Sequence, residues 1–546
     1  MSLLKKINDL SDSGRSRRAW FGLVCMVFLV LIIIPSIFVV FKMFSDWSSV
    51  NDVIADGAMM DTIKGALANS FSIAFIVTIV DILVGIPMAW MLVRKQFRGK
   101  RYLDTLMDMP LAFPTAVLGI SVVMFWGAPE GIDIPGLGLN ISPYLMLVLL
   151  HFIFTYPYMV RSLSAILEQI EPNYETAAMT LSASRFTAVR TITLPLFRAG
   201  LVTGFILCFA RSLSETGGTY IALKMMGVQS SFFTGPTFIN DAKSLFGADA
   251  AMGPMILISV LMILLALALL IVARFMMVRL KIPVSRVWPQ IGRKLSRGTV
   301  PKVKDVLSIA FLVLIVLIPS FYIFAFLTQP MADVDYGALL HSIGVSFLVA
   351  GAAVVFDIVF GIPMALYIAR NRRTFLGKVL DEAVNVPLII PTTALGFSLA
   401  LFWGMFYGGG SAAVFTAMVI LGHISFTYPL VVRNIIGAVE EVDASYEEVA
   451  MTLGAKPFQA FSKVLVPIIK SSIIAGAILS FTRSLGETGA TTSISGSVKT
   501  VPVYIMDLVN RNSYAEAAMC SIILIVICFV LIFAVRMMMN RGERSA

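Results

Sequence analysis

Two glutamates lie inside long apolar runs of this sequence, where a charged group costs at least about 2.5 kcal/mol and is therefore a candidate functional group. Each glutamate begins the same pattern, Glu-Thr-Gly-x-Thr, which places hydroxyl groups beside the carboxylate. Carboxylates at membrane depth are typical of a polar route for a solute, or of a gate that closes such a route. We predict this role for Glu215, Thr219, Glu487 and Thr491.

A packing role is the alternative for both glutamates. Arg211 and Arg483 each lie four residues before a glutamate, on the same face of a helix, and would then form an ion pair within that helix. Asp81 and Asp357 also lie inside apolar runs. For these two aspartates we expect structural hydrogen bonds to neighbouring helices.

The histidines and cysteines offer no metal site. His151 and His423 occupy matching places in the two halves of the chain, and we expect them to pack and to form hydrogen bonds. No second ligand lies at a spacing that is typical of a metal site, so no metal is predicted. The four cysteines all lie in apolar runs, which argues against a disulfide framework.

Two polar segments share another pattern, which predicts a short helix that contacts a partner protein. Over 168–195 and 440–467, each has a Tyr-Glu pair, small residues, an apolar pair and a closing proline. Asp443 offers an N-cap for the second helix, and Gly454 lies where that helix should end. The expected contact groups are apolar knobs and small alanines: Leu181, Phe186, Leu453, Phe458, Ala177, Ala178 and Ala450. An amphipathic helix on a bilayer surface is the alternative.

The elements that hold these residues are predicted to be membrane-spanning helices. Hydrophobic residues form 58% of the 546-residue chain and charged residues 14%, which excludes a soluble enzyme, a disordered chain and a nucleic-acid-binding domain. A spanning helix needs about 20 mostly apolar residues. Twelve such runs are present, at 19–41, 66–93, 105–127, 142–163, 196–220, 253–277, 303–327, 340–369, 381–406, 411–436, 469–491 and 515–538.

Basic residues indicate the orientation of these helices. Lys and Arg cluster before the first run, after the second, sixth and eighth runs, and in the C-terminal tail, whereas 127–140 and 227–249 are nearly free of them. Cytoplasmic loops carry the excess of Lys and Arg, so both termini are predicted to be cytoplasmic. The first run is long and no cleavage site follows it, so we interpret it as a retained helix and not as a signal peptide.

The two halves of the chain are repeats of each other. Asp-Ile-x-x-Gly-Ile-Pro-Met-Ala and Arg-Ser-Leu-x-Glu-Thr-Gly each occur once in each half. Each repeat holds six runs, an even number, so both have the same orientation in the membrane. The predicted fold is therefore all-α and polytopic, with two parallel six-helix repeats at 1–280 and 303–546 and a basic cytoplasmic linker at 281–302.

The paired polar segments resemble the EAA loop of bacterial and archaeal ABC importer permeases, which contains Glu, Ala, Gly and an exit proline in this order. The resemblance implies that each loop forms a coupling helix that docks into a groove of an ATPase subunit. The positions that match are Glu175, Ala178, Leu181, Ser182 and Pro195, and Glu447, Ala450, Leu453, Gly454 and Pro467. Ser182 replaces the usual Gly, so we predict that the second loop turns more tightly and presents its Glu and Leu more firmly.

The same resemblance implies a multi-pass transport subunit of the inner membrane, and not an enzyme. No Gly-x-x-x-x-Gly-Lys-Ser/Thr motif is present, so ATP hydrolysis is expected in a separate subunit. The implied partners are two ATPase subunits, a solute-binding protein outside the membrane, and the lipid bilayer, with no role for nucleic acid. No cofactor is expected in this chain, and ATP-Mg would bind to the ATPase.

The transported solute is indicated only weakly. Segments 85–104 and 110–114 look most like those of the molybdate/sulfate and ferric-iron permeases, and the Arg-Ser-Leu-Gly-Glu-Thr-Gly run resembles the oxyanion branch. Double-length permeases resemble instead the ferric-iron and thiamine systems. We favour a small inorganic anion, with ferric iron or thiamine as the alternative. A secondary transporter of the major-facilitator type also has six plus six spans but lacks such paired loops, and no segment resembles the filter of an ion channel.

Overall fold

The computed structural model describes most of the chain. The ranges that it leaves undescribed are 1–10, 128–140, 280–289, 291–293, 295–298, 329–333, 408–410, 495, 497 and 545–546. The regular structure of the described residues is helical, with no strand among them, which confirms the all-α prediction. Most of the predicted linker, 281–302, lies outside the described residues.

The first half of the chain forms helices α1 to α12. They are α1 (Gly14–Ser45), α2 (Trp47–Ala55), α3 (Gly57–Arg94), α4 (Lys100–Leu111), α5 (Thr115–Trp126), α6 (Pro143–Gln169), α7 (Pro172–Thr180), α8 (Arg185–Arg198), α9 (Gly200–Leu213), α10 (Gly217–Met225), α11 (Gly235–Phe246) and α12 (Met252–Arg279).

The second half follows this order, but its described residues form no counterpart of α2, and one helix, α19, takes the place of α8 and α9. Its helices are α13 (Val300–Ala325), α14 (Tyr336–Arg370), α15 (Phe375–Ile389), α16 (Thr392–Gly404), α17 (Ala412–Glu441), α18 (Ser445–Thr452), α19 (Pro457–Leu485), α20 (Gly489–Ile494), α21 (Val501–Asn510) and α22 (Tyr514–Arg544).

Eight described helices are long and apolar enough to cross a membrane, and the number rises to 11 if each of three bent pairs counts as one span. The polytopic prediction is confirmed. Of the twelve predicted runs, the last belongs to α22, of which Tyr514–Val530 qualifies as a shorter apolar helix.

Two predicted spans, 105–127 and 381–406, are broken and not straight. The bend is 103° between α4 and α5 and 104° between α15 and α16. At each break a proline, Pro114 or Pro391, directly precedes the second helix, and the residue before it has extended backbone. A proline disfavours the helical conformation of the residue before it, which explains why the first helix ends there.

The contacts divide the chain into two units. Unit A comprises 51–333 and 508–522, and unit B comprises 1–50, 334–507 and 523–546. The first helix of each repeat therefore belongs to the unit that holds most of the other repeat. The ranges predicted from the repeats, 1–280 and 303–546, follow the sequence, whereas the packing divides the chain elsewhere.

Helix α1 is part of the core of unit B. Phe28 stacks on Tyr428 with ring centroids 5.6 Å apart, in a cluster that also contains buried side chains of α14 and α17. Ser398 of α16 donates a hydrogen bond to the Pro35 carbonyl at 2.7 Å and accepts one from the Val39 N–H at 2.9 Å. The Pro35 region of α1 is thereby bonded to the second repeat.

Helix α13 has the equivalent place in unit A. Ser121 of α5 donates to the Pro319 carbonyl at 2.6 Å and accepts from the Ile323 N–H at 2.9 Å. Phe311 packs edge-on against Phe152, with ring centroids 5.1 Å apart. The same serine-to-proline contact thus holds an exchanged first helix in both units.

Candidate functional site

The first loop helix, α7, ends in a turn that satisfies its last carbonyl groups. Ser182 has a φ of 70°, in the left-handed region. Its N–H donates to the Met179 carbonyl at 3.1 Å, and the Ala183 N–H donates to the Ala178 carbonyl at 3.1 Å. This pair of bonds is a Schellman motif, which commonly ends a helix.

The second loop helix, α18, ends in the same way. Gly454 has a φ of 93°, and the N–H groups of Gly454 and Ala455 donate to the carbonyls of Met451 and Ala450, both at 3.0 Å. The helix ends where the sequence predicts. The prediction that the second loop turns more tightly is wrong, because Ser182 adopts the same left-handed conformation with the same hydrogen bonds.

The two turns differ in backbone strain, and exchanging their residues should reverse this difference. A non-glycine residue in the left-handed region costs about 1 kcal/mol. A Cβ atom at Gly454 would meet no atom within 4 Å, so the substitution Gly454→Ser tests the backbone alone. We expect Ser182→Gly to slow amide hydrogen exchange in α7 by roughly fivefold and Gly454→Ser to speed it in α18 by a similar factor. Equal exchange in variant and parent would show that the serine turn carries no strain.

The loop carboxylates are held by arginines at the ends of long helices. In unit A, Arg94 lies at the end of α3, and its Nη2 donates to the Ile170 carbonyl at 2.6 Å while its Nε lies 3.4 Å from Glu175 Oε1. Thr193 donates a further hydrogen bond to the same oxygen at 2.9 Å. Both charged side chains are 8% exposed, so this ion pair is buried.

The matching ion pair of unit B is more open. Arg370 ends α14, and its guanidinium donates to the Val442 carbonyl at 3.3 Å and to Glu447 Oε2 at 2.8 Å. The two side chains are 30% and 22% exposed. Leu465 occupies the position that Thr193 has in the first repeat, so the hydroxyl contact is missing here. Glu447 thus accepts a charged hydrogen bond at 2.8 Å in a more open setting, whereas Glu175 lies 3.4 Å from Arg94 and accepts its hydrogen bond from Thr193. Which loop presents its carboxylate more firmly stays a prediction.

Arg94 and Arg370 are functional candidates that the sequence analysis counted only as basic loop residues. The signal was present, since each arginine ends the helix that contains the repeated Asp-Ile-x-x-Gly-Ile-Pro-Met-Ala pattern. Charge alone does not tell which of several clustered arginines faces a loop carboxylate.

Both loop helices present exposed apolar side chains. Leu181 and Leu453 are each 84% exposed, directly after the last helical residue. The other exposed apolar residues of these helices are Tyr174, Met179, Tyr446, Val449 and Met451. Ala178 and Ala450 are half-buried. Apolar groups exposed as a patch at a polar loop mark a surface that another molecule covers.

The two exit prolines lie beyond the loop helices. Pro195 lies in α8 and Pro467 in α19, and each follows a π-helical turn, Val189–Thr193 or Phe461–Leu465. Such a turn relieves the clash between a proline ring and the preceding helical carbonyl. The prolines therefore shape the exit helix and lie apart from the exposed leucines in sequence.

The predicted pathway glutamates lie in helix breaks. Helix α9 ends at Leu213 and α10 begins at Gly217, so the predicted span 196–220 ends early. Glu215 is 3% exposed, accepts the Gly218 N–H at 3.1 Å and pairs with Arg211 at 2.8 Å. The carboxylate thereby caps the start of α10.

Glu487 has the same contacts in unit B. It is 3% exposed, accepts the Ala490 N–H at 3.0 Å and pairs with Arg483 at 2.5 Å. The predicted span 469–491 likewise ends early, at Leu485. Both ion pairs that the packing alternative requires are thus present, although each glutamate lies just beyond the end of the helix that holds its arginine. A role in a pathway stays a prediction.

The predicted threonines bond to the two histidines. Nε2 of His151 lies 2.8 Å from Thr219 Oγ1, and its Nδ1 lies 2.7 Å from Ser212 Oγ. His423 contacts Thr491 and Ser484 in the same way, at 2.9 and 2.6 Å. No group of three or more potential metal ligands occurs among the described residues. The histidines connect each helix break to a neighbouring helix.

The buried aspartates differ between the units. Asp357 accepts a hydrogen bond from Ser480 of α19 at 2.9 Å, as expected for a structural contact between helices. Cys208 occupies the position of Ser480 in the first repeat, and its thiol donates to the Thr155 carbonyl at 3.4 Å. Asp357 therefore forms the expected contact between helices, and Asp81 faces the side chains of Thr155 and Cys208 on neighbouring helices.

A second pair of arginines fixes the bent helices, and the sequence analysis missed it. Arg161 of α6 binds Asp104 and Asp108 of α4, each at 2.7 Å. Arg433 of α17 binds Asp381 at 2.5 Å and Asn385 at 2.8 Å. Each arginine thus holds the first arm of a bent span against a long helix.

A polar cluster lies at α11. Asp241 is 4% exposed and accepts hydrogen bonds from the side chains of Gln229 at 3.1 Å and Asn240 at 3.2 Å. Burial raises the pKa of Asp241 to about 6, against the smaller opposing effects of these two hydrogen bonds and of Lys224. Asp241 therefore holds its proton to a higher pH in the folded chain than in the unfolded chain.

The raised pKa of Asp241 predicts a pH-dependent stability. Below about pH 4 the carboxyl is protonated in both states, whereas between pH 4 and 6 it ionises only in the unfolded chain, so the free energy of unfolding falls as pH rises. The loss is up to about 3 kcal/mol. We expect Asp241→Asn to be stabilised relative to the parent by more at pH 7.5 than at pH 4.5, as measured by thermal unfolding in detergent. An equal difference at both pH values would contradict this.

Known proteins resemble the chain in both halves. The family model described as "Binding-protein-dependent transport system inner membrane component" matches 81–282 and 358–544. The sulfate transport system permease protein CysT of Salmonella typhimurium is 34% identical over 273 residues, which cover 46% of this chain and 94% of that relative. The molybdenum transport system permease protein ModB of Mycobacterium tuberculosis is 32% identical over 230 residues, covering 40% of this chain and 83% of the relative.

A third relative is the probable transport system permease protein NifC of Clostridium pasteurianum. It is 30% identical over 210 residues, covering 36% of this chain and 73% of the relative. Each alignment covers most of the relative but less than half of this chain, as expected if one relative corresponds to one repeat. With two matched family domains and several membrane-spanning helices, the chain belongs to the binding-protein-dependent transport system inner membrane components, as a double-length ABC permease of the inner membrane.

Proposed function

We propose that this chain forms the translocation pathway of an ATP-driven importer and that α7 and α18 each dock onto one of two ATPase subunits. The observation that carries the proposal is the matched pair of loop helices, each ending in a leucine that is 84% exposed. A family whose members depend on a binding protein supports an extracytoplasmic solute-binding protein as a further partner. ATP and magnesium would bind to the ATPase subunits, and this chain would supply no cofactor.

The proposed orientation follows from the basic loops. Both termini and both loop helices lie on the cytoplasmic side, where an ATPase meets ATP. Helices α11 and α21 then lie on the outer side, which a solute-binding protein reaches.

The proposed solute is a small oxyanion, either sulfate or molybdate. The names of CysT and ModB refer to sulfate and molybdenum transport, and the Arg-Ser-Leu-Gly-Glu-Thr-Gly run of this chain resembles that branch. None of the three relatives described above has a name that refers to iron or thiamine.

The test is purification of the full chain with the ATPase subunits and the binding protein that are encoded beside it. In liposomes, we expect ATP hydrolysis to rise when the binding protein loaded with molybdate or sulfate is added. Uptake that a proton or sodium gradient drives without an ATPase would overturn the proposal. Binding of the solute-binding protein to iron or thiamine, and to neither oxyanion, would overturn the assigned substrate alone.

Glu215 and Glu487 are proposed to line or gate the route, and glutamine variants test this. Gln keeps the shape and one hydrogen bond of the side chain but loses the charge. If the charge acts on the solute, we expect Glu215→Gln or Glu487→Gln to change uptake while the ATPase stays bound. Poor expression with normal uptake per folded molecule would assign both residues to packing, as their ion pairs with Arg211 and Arg483 favour.

A further inference from the structure

Helix α3 is hydrogen-bonded in its first half to α11 and to the residue Phe233 just before it. The Ser70 hydroxyl accepts the Gly235 N–H at 2.7 Å, and the Asn69 side chain donates to the Phe233 carbonyl at 2.9 Å. Ser70 is 5% exposed. A buried N–H that loses its acceptor is costly, so the start of α11 depends on this serine.

Helix α14 makes the same contact in unit B. The Ser346 hydroxyl accepts the Val501 N–H at 2.8 Å, and Ser346 is 3% exposed. Val501 begins α21, as Gly235 begins α11, and both helices follow the same pattern, Thr-x-Pro-x-aromatic-Ile-x-Asp. The two contacts are therefore repeats of each other.

The opposite ends of α3 and α14 are bonded to the loop helices. Arg94 binds the Ile170 carbonyl before α7 and the carboxylate of Glu175 within it. Arg370 binds the Val442 carbonyl before α18 and Glu447 within it. Each long helix thus contacts α11 or α21 in its first half and a loop helix through its last residue.

These long helices are continuous between their two contacts. Helix α3 has 38 residues and α14 has 35, with Pro87 and Pro363 at matching places inside them. From Ser70 to Arg94 the axial rise is roughly 36 Å, about the thickness of a bilayer. Both helices stay continuous across their proline, and a continuous helix resists a change in length, so a shift of one contact along the helix axis is passed to the other contact.

We propose that Ser70 and Ser346 are positioning residues that connect α11 to α7 and α21 to α18 through α3 and α14. A displacement of α11 or α21 changes the position of the loop helix in the same unit. Loss of either serine hydrogen bond makes that loop helix more mobile. The use of this connection in transport rests on the proposed function, whereas the connection itself belongs to this chain alone.

The test is amide hydrogen exchange of the full chain in lipid nanodiscs, with no ATPase or solute present. We expect Ser70→Ala to speed exchange in 172–182 by roughly fivefold, the effect of losing one hydrogen bond of about 1 kcal/mol, and to leave 445–454 unchanged. Ser346→Ala should have the opposite selectivity. Ser72→Ala is the matched control, because the Ser72 hydroxyl donates to the Asn69 carbonyl of its own helix.

Two results would overturn the proposal. One is faster exchange that stays within 233–246 when Ser70 is replaced, which assigns the serine a local role. The other is equal acceleration in both loop helices, which indicates general loosening of the fold. If Ser70→Ala fails to fold, Asn69→Ala is the second variant, because it removes the neighbouring hydrogen bond to Phe233 from a side chain that is only half-buried. Its effect is read from hydrogen exchange in the same two segments, 172–182 and 445–454. Failure of the wild-type chain to bind any ATPase would refute the proposed function and leave this result intact.

Discussion

Leu181→Asp and Leu453→Asp are each expected to reduce ATPase association by at least tenfold and to abolish most uptake. Both leucines are 84% exposed, so the isolated chain tolerates the change, whereas a docked groove would enclose the new carboxylate without a partner. An unpaired charge at a buried interface costs roughly 2–5 kcal/mol, and about 1.4 kcal/mol is one decade in affinity. The measurement is pull-down of the ATPase by each detergent-solubilised variant, together with uptake in cells.

Leu181→Met and Leu453→Met are the matched controls. They keep an apolar side chain of similar volume, and we expect each to bind the ATPase within a factor of about three of the parent. If both aspartate variants bind the ATPase as well as the parent does, the loop helices are not part of the ATPase interface. Loss of folding in the aspartate variants would contradict the exposure on which the prediction rests.

Arg94→Ala is expected to destabilise the chain far more than Arg370→Ala. Loss of Arg94 leaves the buried Glu175 carboxylate with Thr193 as its described hydrogen-bond donor, and breaking a buried ion pair costs about 3–5 kcal/mol. The pair of Arg370 with Glu447 is partly exposed, and such pairs contribute about 1 kcal/mol or less. Thermal unfolding of both variants in the same detergent compares the two effects.

A second substitution separates charge from packing in the first pair. In the Arg94→Ala background, Glu175→Gln removes the unpaired charge and should restore a large part of the lost stability. The equivalent double change at Arg370 and Glu447 should alter little. Equal destabilisation by the two alanine variants would show that burial of the Arg94–Glu175 ion pair does not increase its contribution to stability.

The fold class was predictable because it depends on composition and repetition. A membrane offers no water to the backbone, so long apolar runs become helices. The helix end at Gly454 was predictable from one residue, because few other residues favour a positive φ. Ser182 shows the limit of that rule, since the hydrogen bonds of the turn impose the left-handed conformation on a serine.

The exchange of first helices was not predictable from hydropathy. Helices α1 and α13 are apolar, and the sequence does not tell which bundle they join. Ser121 and Ser398 each fix an exchanged helix by donating to a backbone carbonyl and accepting from a backbone N–H near Pro319 or Pro35. Such a partner is far away in sequence and leaves no periodic pattern.

The sequence predicted which residues form the candidate site more accurately than it predicted how those residues are arranged. The Tyr-Glu pairs and the leucines marked the loop helices, but the arginines that contact the carboxylates lie at the ends of other helices, α3 and α14. The paired glutamates were placed within straight spans, whereas Gly217 and Gly489 begin new short helices there. A carboxylate that accepts the first N–H groups of a short helix needs a break in the chain, which hydropathy does not show.

The two loop helices of one chain, α7 and α18, are proposed to bind two ATPase subunits. Native mass spectrometry of the purified complex tests this proposal most directly, because it counts the subunits bound to one permease chain. We predict two ATPase copies on the wild-type chain and none on the Leu181→Asp/Leu453→Asp double variant. Two copies on the double variant, or none on the wild-type chain purified with its own ATPase, would contradict it.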